Sequence, residues 1–99
     1  LDDNINIVIF FDLYMNNLTT DDLYKLKNTI CIETIQEIEN CKNIEFLDKN
    51  ISLVENFNNN NQLKLSILLK NTKNIENMKN NLQNKFSKIG ININKIEQY

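Results

Sequence analysis

Two adjacent carboxylate pairs, Asp2-Asp3 and Asp21-Asp22, and two cysteines, Cys31 and Cys41, are the side chains here with the most reactive chemistry. Paired carboxylates serve general acid–base work when their environments split their pKa values. Neither pair is placed for that: Asp2-Asp3 sits at the chain start, and Asp21-Asp22 follows two threonines in the manner of a helix start. Histidine, the usual proton carrier at neutral pH, is absent. The cysteines lack CxxC spacing, and no histidine is available to complete a zinc shell. On one continuous helix they would lie about 15 Å apart along the axis, beyond disulfide reach. They could pair only if the helix ended before Cys41 and the chain folded back; otherwise they read as two small buried thiols. A single glycine rules out a phosphate-cradling glycine loop. The residues point away from an enzyme, and no cofactor or metal is expected.

Charge and composition remove further classes. The 99 residues carry a net charge of −2, and all 11 basic residues are lysine. A nucleic-acid binder concentrates Lys and Arg against phosphate, and this chain does not. It also lacks a polybasic patch for an anionic membrane and the roughly 18 unbroken apolar residues of a membrane span. Asparagine, isoleucine and lysine dominate, with no alanine, arginine, histidine, proline or tryptophan. These favoured residues have AT-rich codons, so the bias reads as genome composition, such as that of an AT-rich protist. The run Asn58-Asn59-Asn60-Asn61 then reads as a drifted surface loop. Asn17-Leu18-Thr19 and Asn50-Ile51-Ser52 match the N-glycosylation pattern, but 21 asparagines and 8 Ser/Thr in 99 residues give about two matches by chance.

The elements that must carry these residues follow from periodicity. Ile5 to Phe11 is β-branched and aromatic, with Ile5, Ile7, Ile9 and Phe11 on one face and Val8 and Phe10 on the other. A strand apolar on both faces belongs in the middle of a sheet. Asn16-Asn17-Leu18 turns the chain, and Thr19-Thr20-Asp21-Asp22 opens a helix. Leu23, Leu26, Ile30, Thr34, Ile35, Ile38 and Cys41 give it an apolar stripe about five turns long. Two period-two runs follow, Ile51–Phe57 and Leu63–Leu69, flanking the asparagine run as a hairpin, with Ile44-Glu45-Phe46 as a short lead-in. Ile75, Met78, Leu82, Phe86 and Ile89 mark a second helix, and Gly90 stands where a left-handed residue ends one. Ile91-Asn92-Ile93-Asn94 alternates as a short last strand.

The order β-α-β-β-α-β is that of a ferredoxin-like α+β sandwich. Right-handed crossovers give an antiparallel four-stranded sheet in the order 4-1-3-2 with both helices on one face. Residues 1–99 then form one domain, and the start at Leu1 and end at Tyr99 read as a piece of a larger protein. The superfold hosts many functions. An RNA-recognition domain stacks bases on aromatics of its central strands; Phe10 is suitably placed, but Lys64, Ser66 and Leu68 offer none.

Leu53-Val54-Glu55-Asn56-Phe57, then Leu63 to Leu69, Ile75 to Gly90 and Ile91-Asn92-Ile93 together resemble the layout of the SEA-domain family. That family's autoproteolytic glycine-serine is absent, with Asn58–Asn61 in its place. The resemblance implies a non-cleaving extracellular or secretory-pathway spacer or association module. The layout is also similar to the propeptide of subtilisin-like proteases, in which case Lys95-Ile96-Glu97-Gln98-Tyr99 would be the inhibitory tail. The reading adopted is a non-enzymatic interaction or architectural module. Its surface is the sheet face away from the helices, where Val8, Phe10, Val54 and Leu68 stand. Its partner is a protein or a neighbouring domain, with a homodimer as one form.

Overall fold

The computed structural model describes residues 4–13, 18–55, 61–70 and 75–99. It is an α+β arrangement of β1 (Ile5–Asp12), α1 (Thr20–Glu39), β2 (Glu45–Val54), β3 (Gln62–Lys70), α2 (Ile75–Lys88) and β4 (Ile93–Gln98). The sheet order is β2-β3-β1-β4, the expected 4-1-3-2 read from the other edge, and every neighbouring pair is antiparallel. Among the described residues no helix is long and apolar enough to cross a membrane.

β1 is central because it is apolar on both faces. Ile7, Ile9 and Phe11 are fully buried beneath the helices, opposite Ile67, Leu65 and Leu63 of β3. Met78, Leu82 and Phe86 of α2 complete this core with Ile30 and Ile38 of α1. All these residues belong to one layer between the sheet and the helices, so both helices lie on one face of the sheet.

Helix ends follow the sequence signals. Thr19 Oγ1 accepts from the Asp22 N–H at 3.1 Å, satisfying one free donor of the first turn of α1. The chain leaves α1 through Asn43 at φ 69°, a left-handed conformation that asparagine tolerates better than most residues. At the end of α2, the Ile91 N–H donates to the Phe86 carbonyl at 2.9 Å and the Gly90 N–H to the Ser87 carbonyl at 3.2 Å. These two bonds form a Schellman cap, with Gly90 at φ 78° as its left-handed residue. An added Cβ at Gly90 would meet nothing within 4 Å, so only the backbone conformation opposes it. Gly90→Ala is therefore expected to cost about 1 kcal/mol, and Gly90→Asn less, as read from urea midpoints.

Several expectations are corrected. β2 begins at Glu45, so Ile44-Glu45-Phe46 leads directly into a ten-residue strand. A bulge between Phe46 and Asp48 puts Phe46 opposite Leu69 and Ile51 opposite Leu65, both on the helix side. β4 runs from Ile93 to Gln98 rather than from Ile91 to Asn94. Lys95-Ile96-Glu97-Gln98-Tyr99 is thereby part of the sheet: Tyr99 exchanges backbone bonds of 3.1 and 2.8 Å with Asn6. Ile89 falls past the end of α2 and is 47% exposed, because the stripe has rotated off the core by then. α1 ends at Glu39, before Cys41, and both cysteines are free thiols. The turns placed at Asn16-Asn17 and at Asn58–Asn60, and Phe57, lie outside the described residues.

Candidate interaction surface

The sheet face turned from the helices is defined by register. On β1 it presents Asn6, Val8, Phe10 and Asp12, which pair with Leu68, Ser66, Lys64 and Gln62 of β3. Beyond β3 stand Asp48, Asn50, Ser52 and Val54 of β2. Beyond β1 stand Lys95 and Glu97 of β4, with Tyr99 beside Asn6. No described helix covers this face.

Val8 and Phe10 are successive residues on this face, and Leu68 is diagonal to Val8 across the β1–β3 pair. The structure therefore brings these three together. Val8 is only 5% exposed, while Phe10 and Leu68 are half-buried. Val54 stands apart, half-buried at the β2 edge and separated from β1 by Gln62 and Lys64. The apolar centre is thus a three-residue strip.

Sequence reasoning missed the polar groups around that strip. Lys95 Nζ lies 4.7 Å from the centre of the Phe10 ring, within cation–π range. The same ammonium pairs with Glu97 Oε1 at 2.9 Å, and the Tyr99 hydroxyl donates to Glu97 Oε2. Hydrogen bonds from Lys95 and then Tyr99 hold the Glu97 carboxyl below its ordinary pKa. The bond to Glu97 raises the pKa of Lys95, and likewise that of Tyr99. All three titrating groups face solvent, so the chain of contacts orders the β4 side of the face rather than stabilising the fold. At one end, Asp12 Oδ1 accepts from Gln62 Nε2 at 2.9 Å. Asp12 Oδ2 accepts from Asn92 Nδ2 at 2.7 Å and Asn94 Nδ2 at 3.3 Å. The signal for these residues was the alternation Lys95, Glu97, Tyr99, visible once β4 is extended to Gln98.

The remaining chemistry is sparse. Burial raises the thiol pKa of both cysteines, opposed by Lys49 at Cys31 and reinforced by Glu37 at Cys41. The Cys41 thiol also donates to the Glu37 carbonyl at 3.3 Å. Asp21 and Asp22 occupy the first turn of α1, and Asp2 and Asp3 lie outside the described residues. Among the described residues no group of three His, Cys, Asp or Glu could hold a metal ion. A groove of about 530 Å³ runs between the helices, beside Glu37, Asn84 and Lys88. Lys85 bridges the helices there, pairing with Glu33 Oε2 and donating to the Glu33 carbonyl, each at 3.1 Å. Of the two sequons, Asn50 is exposed within β2 and Asn17 lies outside the described residues.

Among solved structures the chain is similar to a de novo designed protein, Foldit4, with a TM-score of 0.60. The likeness is one of fold. Identity is 11% over 97% of this chain and 96% of that one, which carries arrangement and nothing of function. No family model and no curated protein matches the chain.

Proposed function

We propose that this domain, a ferredoxin-like sandwich, is a non-enzymatic interaction module that binds a protein partner or a neighbouring domain through its open sheet face. The observation that carries the proposal is the composition of that face. Val8, Phe10 and Leu68 form an apolar strip, and Lys64, Lys95, Glu97, Asp48 and Asp12 surround it. An apolar centre with a charged, hydrogen-bonding rim is the anatomy of a protein interface. A non-cleaving SEA-like association module is one form this role takes. The alternative, a protease propeptide of the same layout, would use Lys95–Tyr99 as its inhibitory tail; those residues are paired with β1.

The double variant Phe10→Asp, Leu68→Lys places two charges in the strip and leaves the helix-side core untouched. Sedimentation of the domain alone and with its purified partner is expected to show complexes that the variant no longer forms. Its far-UV circular dichroism should stay native. A folded variant that keeps every complex would overturn the assignment.

A further inference from the structure

Among the described residues β2 lies at the edge of the sheet, paired with β3 alone, and spans ten residues. An edge of that length offers a row of unpaired backbone groups to any passing strand. Two features of β2 oppose that use. The first is the bulge at Leu47, which breaks the regular spacing a new ladder would need. The second is Lys49.

Lys49 stands opposite Ile67, which is 1% exposed in the core. Paired residues share a face, so Lys49 lies on the helix side of the sheet. On that same side, Phe46 and Ile51 of β2 pack against the core. Alternation there calls for an apolar residue, and the chain supplies a charge. Lys49 acts electrostatically on Cys31 of α1, where it opposes the larger effect of burial. Its side chain is nonetheless exposed, because the open edge gives the long stem a way out to water. Among the described residues no carboxylate pairs with its ammonium.

We propose that Lys49 closes the β2 edge to strand addition by a second copy of this chain. An added strand would fill the route by which Lys49 reaches water and trap an unpaired ammonium between itself and α1, at heavy desolvation cost. Two copies of β2 paired antiparallel about this position would also set two lysines directly opposite, a destabilising pair. Among the described residues the other edge carries no such guard. On the helix side β4 presents Ile93, Ile96 and Gln98, all uncharged, and its protection is its length of six residues. Association is thereby steered away from the long edge. This inference stands independently of the role proposed for the open face.

The test uses Lys49→Ile, which restores the apolar alternation, and Lys49→Thr, which removes the charge without adding a large apolar group. Lys88→Ile puts the same isoleucine on α2, away from the edge. Both Lys49 variants are expected to sediment at a mass at least twice that of the parent domain as concentration rises, with Lys49→Thr the weaker. Hydrogen exchange should slow at the β2 amides that face away from β3 in the associated form, and Lys88→Ile should sediment as the parent domain does. The proposal fails if both Lys49 variants sediment as the parent does, or if Lys88→Ile associates equally. Slowed exchange confined to positions outside β2, or an unsubstituted domain whose outward-facing β2 amides are already protected, also overturns it.

Discussion

Phe86→Ala is expected to lower the melting temperature by about 12 °C or more. Phe86 is fully buried, and its ring meets the ring of Phe11 edge-on, with centroids 4.9 Å apart and planes at 66°. The pair joins α2 to the central strand at the point where β4 also docks, since Phe11 stands opposite Ile93. Removing a buried phenylalanine costs about 3–5 kcal/mol, the lost transfer energy together with the cavity left behind. Each kcal/mol shifts a domain of this size by roughly 4–8 °C, which sets the lower bound. Against a total stability of about 5–15 kcal/mol, that loss is roughly a fifth or more of what holds the domain folded. Phe86→Leu keeps most of the volume and should lose well under half as much. Differential scanning calorimetry checks both. A drop below about 5 °C for the alanine variant would mean that α2 slides inward to close the cavity, so the helix is not fixed by this residue.

The fold was legible where side-chain period and backbone period agree. β1 could be placed centrally because Val8 and Phe10 make its second face apolar, and the Schellman cap could be anticipated from one glycine after Ile89. Reading failed where an inserted residue breaks the period. Phe46 and Ile51 are five positions apart, so strict alternation puts them on opposite faces. The bulge at Leu47 returns them to one face, and no residue type announces it. The register shift between Phe10 and Phe11 does the same in β4. Ile93 and Ile96, three apart, both face the helices, which disguised the strand and made its end look like a tail.

The open face was half legible for the same reason. Val8 and Phe10 declare themselves, being apolar where alternation calls for polar residues. Alternation along its own strand gives Val54 the same face; its distance from β1 depends on cross-strand register, which single-strand patterns do not contain. Lys95, Glu97 and Tyr99 became visible only with the true extent of β4. In the sequence Lys49 is one lysine among 11. Its meaning lies in the residue across from it, Ile67, and in β2 being an edge.

Thr34→Val is expected to stabilise the domain by about 1–2 kcal/mol, an unusual sign for a core substitution. Thr34 sits on α1 between Ile30 and Ile38, one turn from each, and is fully buried. Its Oγ1 has no hydrogen-bond partner among the described residues. A buried hydroxyl left unpaired carries its full desolvation cost, about 1–3 kcal/mol, whereas an apolar group of the same shape does not. Valine supplies that shape, and its helix propensity is close to that of threonine, so the backbone contributes little to the change. Thr34→Ser should move stability the other way, because it keeps the hydroxyl and removes the methyl from a packed layer. Urea titration separates these effects: a higher midpoint at unchanged slope for valine, and a lower one for serine. If valine also lowers the midpoint, the hydroxyl is paired in solution, and the apolar stripe of α1 contains one polar contact that helps fix how α1 lies on the sheet.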